Sequence, residues 1–238
     1  MHDVSFDLDL LTRHNTPTVA NAIELFDVRP RNTGFLRPGL RCLSPERKPI
    51  AGFAATCQIS SEDIGTLGSK ESFDYWASVE AVPGPRIAVV QDLDPQPAAG
   101  SFWGEVNASI HLALQCSGTV TNGAIRDVDE MKAIGFQALY SNRCVSHAYI
   151  HIVDFGKPVV IHGTVIRPGD LLHVDQHGCL VVPKETLRDL ETAIREVERR
   201  ERPVLEYARS GKATREGLVE VVTKHLRNHP KWMPGQTC

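Results

Sequence analysis

The apolar positions of this chain change period along its length, and the changes mark its elements. Residues 50–60 and 87–90 are almost continuously apolar, as in Phe53-Ala54-Ala55 and Ile87-Ala88-Val89-Val90. Such runs suit strands buried on both faces. Between them residues 73–82 read as a helix, which Pro83-Gly84-Pro85 breaks. Upstream, residues 8–26 keep a helical period interrupted at Thr16-Pro17, where Thr16 can cap a second helix that starts at Pro17. Residues 29–49, 65–69 and 92–99 read as loops. Later, residues 138–140, 149–153, 158–161, 171–174 and 179–182 form short apolar runs at hairpin spacing. Residues 184–210 return to a helical, charged pattern with Leu187, Leu190, Ile194 and Val197 on one stripe. Pro203 is expected to kink or divide that helix, and Gly211 to end it. Helices and strands alternate early and strands cluster late, which predicts a layered α/β sandwich.

The stretch 100–135 carries the candidate chemistry. After Gly100 and Ser101 a helical run places Val106, Ile110, Ala113 and Leu114 on one face, and Gly118 is expected to end it. The unpaired N–H groups in its first turn, near Gly104, Glu105 and Val106, attract an anion such as a substrate carboxylate. Glu105 there is equally a residue that complements the helix dipole. A short strand, 119–121, then leads through the Asn122-Gly123 turn to Arg126 and Asp127, ahead of a helix over 128–134 closed by Gly135. Asp127 can be the N-cap of that helix, with Glu130 completing a capping box, and Arg126 a surface charge paired to it. The alternative is that Asp127 holds a hard divalent cation, Mg2+ or Mn2+, with Arg126 beside a small oxyacid.

Composition narrows the choice. The chain has 238 residues, 42% hydrophobic and 23% charged, enough for one core, and it is read as a single domain over 1–238 with a core at about 10–215 and a C-terminal arm at 212–238. A net charge of -3 gives no reason to expect nucleic acid or an anionic membrane surface as partner. Apolar runs fall far short of the ~20 residues that span a bilayer, and Met1-His2-Asp3 opens no signal pattern, so a cytoplasmic protein is expected. The six cysteines (Cys42, Cys57, Cys116, Cys144, Cys179, Cys238) include no CxxC pair, so neither disulfides nor zinc are expected. His147, Tyr149 and His151 alternate with apolar neighbours as on a half-buried strand. No ligand spacing recurs among these and His162, His173 and His177.

The pattern Trp103-Gly104-Glu105, Gly118, Val120, Asn122-Gly123, Ile125-Arg126-Asp127 and Gly135-Phe136 resembles the RraA-like family. Upstream Thr18-Val19-Ala20-Asn21-Ala22 and Gly52-Phe53-Ala54-Ala55-Thr56, and downstream Arg167-Pro168-Gly169-Asp170 through Val181-Val182-Pro183, extend the resemblance over residues 10–215. Asn21 departs from it, standing where the family usually has Asp. The resemblance implies a β/β/α sandwich with helical N- and C-terminal extensions, assembled as a homotrimer or hexamer. It implies a class II, metal-dependent 4-hydroxy-4-methyl-2-oxoglutarate aldolase with oxaloacetate decarboxylase activity, yielding pyruvate from a small 2-oxo acid. On that pattern Asp127 holds the metal, while Gly104, Glu105, Val106 and Arg126 bind the substrate. Glu105 and Arg126 act in catalysis with Glu201, which lies about where the family places an acidic residue reaching into a neighbouring subunit. Glu201 is also one of several acids on a solvated helix. The family's other members, regulators of ribonuclease activity, imply the alternative of a non-catalytic protein-binding role.

Overall fold

The computed structural model describes residues 7–65, 69–95, 98–227 and 232–235. The chain divides into two compact units, one made of 7–16 and 32–182, the other including 17–31 and 183–238. It opens with α1 (Leu8–Thr12) and α2 (Thr16–Glu24), followed by β1 (Arg41–Cys42), β2 (Ile50–Ser60), α3 (Ser69–Glu80) and β3 (Arg86–Asp92). The central stretch supplies β4 (Ser101–Trp103), α4 (Glu105–Ala113), β5 (Cys116–Thr121), β6 (Ala124–Ile125) and α5 (Val128–Ala133). Then come β7 (Gln137–Tyr140), β8 (Asn142–Arg143), β9 (His151–Phe155), β10 (Val159–Ile161), β11 (Thr164–Ile166), β12 (Leu171–Asp175) and β13 (Gly178–Val182). A 3-10 turn (Lys184–Asp189) leads into α6 (Leu190–Arg209) and α7 (Arg215–Val222).

The larger unit is organised by the two-sided apolar strands. Its main sheet has the order β1-β7-β5-β3-β2-β12-β13, with β9 also pairing β2. The neighbours β2, β3, β5 and β7 are parallel, so each connection crosses over through a helix, α3, α4 or α5. Successive residues of β3 go to opposite faces. Ala88 and Val90 pack with Tyr75 of α3, Ala108 of α4 and Met131 of α5, whereas Ile87 and Val89 pack with Val159, Ile161 and Ile166 of the β10–β11 hairpin. Helices, sheet and hairpin are thus three layers, the expected β/β/α sandwich. A second, three-stranded parallel sheet, β4-β6-β8, stands at the ends of β3, β5 and β7.

In the smaller unit α6 buries Leu190, Ile194 and Val197 of the expected stripe together with Ala193, while Leu187 lies half-buried in the 3-10 turn before it. One expectation fails here. Pro203 does not divide the helix, which runs through it to Arg209. The bond lost at an internal proline is offset by the buried stripe and by Glu196, whose carboxylate takes both Arg199 and Arg200 at 2.7 Å. The arm expected at 212–238 contains a helix, α7, that no pattern had marked, capped by the Thr214 hydroxyl on Gly217 N–H.

Three readings of the larger unit are also corrected. The helix after Ser101 does not start there: residues 101–103 are strand β4, and α4 turns Ala108 and His111 inward. Val106, 71% exposed, and Ala113 face out. The polar His111 hid the buried face, because its ring nitrogens are satisfied by Tyr75 Oη and Asn107 O. Gly118 lies inside β5, where a Cβ would come within 2.4 Å of the Gln137 carbonyl; it marks a close strand approach instead of a helix end. The alternation at 147–151 is a turn up to Ile150, with Ala148 in the left-handed region (φ 46°), and the strand begins at His151. The loop expected over 29–49 contains β1, while the loops expected over 65–69 and 92–99 fall partly outside the described residues.

Candidate active site at the strand ends

Two arms leave the carboxyl ends of β3 and β5 and meet in the small sheet. The first runs through β4 to Gly104 and Glu105 at the start of α4; the second runs through β6 to Arg126 and Asp127 ahead of α5. The backbone ties them: Arg126 N–H donates to Trp103 O at 3.0 Å, and Ser101 Oγ reaches Trp103 O and Ala124 O at 2.7 Å each.

The side chains then converge. Asp127 precedes α5 but makes no cap bond to it; its backbone sits in the left-handed region at φ 50°, ψ 49°. That conformation is uncommon for a residue with a Cβ and costs about 1 kcal/mol or more. It turns the carboxylate across to the other arm, where Oδ2 accepts the Glu105 N–H at 3.1 Å. Gly104, the N-cap position of α4, has no side chain to offer that amide. Its backbone is extended, so the need for glycine is steric: a Cβ would lie 2.5 Å from Asp127 Oδ2 and 3.3 Å from Arg126 Cγ and Nε. Arg126 Nε stands 3.9 Å from the same Oδ2, and both side chains are a little over one third exposed. Such a pair in contact with solvent adds little stability.

Of the residues named from the sequence, Gly104, Glu105, Arg126 and Asp127 are brought together. Val106 is adjacent with its side chain exposed, and the Glu105 N–H expected for a substrate carboxylate is taken by Asp127. Glu201 lies on α6 in the other unit, where Asn21 Nδ2 approaches its Oε1 at 3.5 Å. It borders an open groove of about 650 Å³ with Glu198, Arg202, Leu205, Glu206 and Arg209.

The arrangement fits a hard cation held mostly by water. Among the described residues no three His, Cys, Asp or Glu side chains cluster as a cage. Magnesium, however, keeps several waters and is held by one or two carboxylates. Asp127 offers Oδ1, which has no protein partner among the described residues. Two of the histidines serve structure. His173 is buried and bonded to Thr16 Oγ1, Leu11 O and His14 O, and burial lowers its pKa. His177 binds Asp175.

Sequence reasoning overlooked two residues at the roots of the arms. Asn122, read only as a turn residue, binds the backbone of Asp92 with both ends of its amide, each at 2.8 Å. Asp92 is 3% exposed, and burial pushes its carboxyl up to about 6, against the Asp94 N–H that favours the ionised form. A carboxylate ending a strand as apolar as 87–90 was the available signal.

This fold and this paired-arm site define the class to which the chain is similar. The Aldolase/RraA profile matches residues 16–181, and the chain belongs to the RraA-like family. An uncharacterized protein of Methanocaldococcus jannaschii is 24% identical over 89% of this chain and 93% of its own length. A Halalkalibacterium halodurans protein named "Putative 4-hydroxy-4-methyl-2-oxoglutarate aldolase" is 27% identical over 75% of this chain and 78% of its own. The Streptomyces coelicolor structure described as "an unusual member of the RNase ES inhibitor RraA protein family" superposes with a TM-score of 0.62 at 23% identity, covering 82% of this chain and 93% of that one. Relatives named as aldolases and as RraA proteins are thus both among those this chain resembles. No helix among the described residues is long and apolar enough to cross a membrane.

Proposed function

We propose that this protein is a divalent-metal-dependent lyase that cleaves or decarboxylates a small 2-oxo diacid to pyruvate. The supporting observation is the crossing of the two arms: Asp127 Oδ2 on the Glu105 N–H, with the Arg126 guanidinium beside it and Gly104 leaving the space open. The aldolase name of the Halalkalibacterium halodurans relative supports the same reading.

In the decarboxylation of oxaloacetate the C3–C4 bond breaks, carbon dioxide leaves, and the electron pair passes to an enolate that takes a proton at C3. Asp127 would hold Mg2+ or Mn2+ through the oxygen not used on Glu105, and the bound cation supplies Lewis-acid polarisation of the keto oxygen. Arg126 presents a planar donor fork to the negative charge that develops on that oxygen. The exposed N-terminus of α4 receives a substrate carboxylate through the N–H of Val106 and the dipole. Glu105 orients a water for proton delivery together with Glu201 from a neighbouring copy of the chain in a homotrimer or hexamer.

The test is pyruvate release from oxaloacetate with magnesium and with chelator, for the wild type and for Asp127→Ala. Metal-dependent turnover that vanishes in the variant, along with cation binding by calorimetry, supports the reading. Release no faster than in protein-free solution under the same metal or chelator condition overturns it in favour of a non-catalytic, protein-binding role, and undiminished cation affinity in Asp127→Ala removes Asp127 as the anchor.

A further inference from the structure

Both arms of the site are rooted on one buried side chain that the proposed chemistry does not use. β3 ends at Asp92, where the first arm begins, and the neighbouring parallel strand β5 ends at Thr121, where the second begins. The Asn122 amide accepts from Asp92 N–H and donates to Asp92 O, continuing the pairing of the strands beyond their ends. The Asp92 carboxyl divides between the arms. Oδ1 accepts the Asp94 N–H at 3.0 Å on the first. Oδ2 faces the second, where it is buried with no hydrogen-bond partner among the described residues. It lies 2.8 Å from the point a Cβ on Gly123 would occupy, and Thr121 Oγ1, which accepts Gly123 N–H at 2.9 Å, lies 3.2 Å from the same point. Gly123 does not have a positive φ, so what it provides is room for this carboxyl.

The charged surroundings are Asp94 and Glu62, which both disfavour ionisation of Asp92, and Cys144 at the end of β8, whose thiol feels Asp92 on one side and Arg126 on the other. A buried acceptor without a donor is costly and persists where it serves something else.

We propose that Asp92 is a positioning residue: wedged between the roots of the two arms, it fixes the separation of Gly104–Glu105 from Arg126–Asp127 and so the bond between Glu105 N–H and Asp127 Oδ2. Its kinetic consequence rests on the lyase reading, but its structural consequence does not. The cross-arm bond has its own reporter, the exchange rate of the Glu105 amide hydrogen.

The experiment measures amide hydrogen exchange in wild type, Asp92→Ala and Asp92→Asn, with kcat and KM for oxaloacetate in parallel. Asp92→Ala should speed exchange at Glu105 and Arg126 by about 10-fold or more while the β12–β13 amides of the same unit change by less than about 2-fold, the signature of a local opening. Asp92→Asn, nearly the same shape, should recover most of that protection. In turnover, alanine should lower kcat by about 10-fold with KM within about 3-fold, the split expected for a misplaced catalytic group. Unchanged Glu105 protection in Asp92→Ala, or loosening that spreads equally to β12–β13, overturns the proposal. If the alanine variant does not fold, Gly123→Ala, whose Cβ would press on the carboxyl, takes its place with the same two deciding results. A wild type that releases no pyruvate defeats the lyase reading alone, and the exchange data still decide the role of Asp92.

Discussion

Replacing Asp92 by asparagine should make the protein more stable at neutral pH and leave it nearly unchanged in acid. Burial raises the folded-state pKa from 3.8 to about 6, a difference of about 2 units. At about 1.4 kcal/mol per unit the full effect is ~3 kcal/mol, and Asp92 is 3% exposed, so solvent screening does little to reduce it. Below pH 4 the carboxyl is protonated in both folded and unfolded chains, and its ionisation contributes nothing. As pH rises from about 4 to 6 the unfolded chain releases the proton first, so the wild type loses stability; above about 6 both forms are ionised and the loss is complete. An asparagine has no proton to lose. The assay is urea unfolding followed by tryptophan fluorescence at pH 4 and pH 7.5, at fixed protein concentration because assembly shifts apparent stability. The quantity to read is the variant-minus-wild-type difference, in which every other titrating group cancels, and its change between the two pH values, in which any pH-independent cost of the amide cancels as well. That difference should grow by up to ~3 kcal/mol between the two pH values. A difference that stays constant with pH would refute the reasoning, since it would mean that Asp92 titrates alike in folded and unfolded chains.

Arg126→Ala should lower kcat by roughly 100-fold with a smaller change in KM, as for loss of an oxyanion donor, and Arg126→Lys should rescue it poorly because a point charge does not replace a planar fork. A raised KM with normal kcat would contradict this. Gly104→Ala should weaken cation binding without unfolding the chain, since the new Cβ would meet Asp127 Oδ2 at 2.5 Å in an otherwise permissive extended backbone; calorimetry with magnesium is the check, and unchanged affinity the refutation. Asp127→Ala and Glu201→Ala, each inactive alone, should regain activity when dissociated and reassembled together, because some sites would then pair an intact Asp127 with an intact Glu201. If the mixture stays dead while a wild-type control recovers, Glu201 serves no neighbouring site.

What could be read from the sequence follows from where each element's stability originates. β2 and β3 were plain because strands covered on both faces are apolar at nearly every position, and 50–60 matches the strand residue for residue. The layering followed from the order of helices and strands. β4 and β6, with three and two residues, are too short to carry any period. They are strands because Trp103 O, Ala124 O and Ser101 Oγ find one another in three dimensions. The inward face of α4 was misread for a related reason. A histidine at its centre looks polar in a sequence, yet His111 is fully buried and burial lowers its pKa to about 4, so it packs there as a neutral, doubly bonded ring.

The site shows a subtler version of the same difficulty. Glycine before a helix, glutamate in its first turn and aspartate ahead of the next helix are ordinary capping residues, and nothing in their spacing says otherwise. In the structure Asp127 does cap a helix, but the wrong one for its place in the chain: it satisfies the first amide of α4, which Gly104 cannot. One carboxylate oxygen thus binds the two arms together while the other has no protein partner among the described residues, so the proposed metal-holding role would fall to a different atom from the capping role. Those roles respond differently to substitution. Asp127→Asn would retain an oxygen for the Glu105 amide and lose the charge a cation needs. The capping reading and the proposed metal-holding one therefore do not exclude each other at this position, and the left-handed backbone of Asp127 is what carries its carboxylate across to α4.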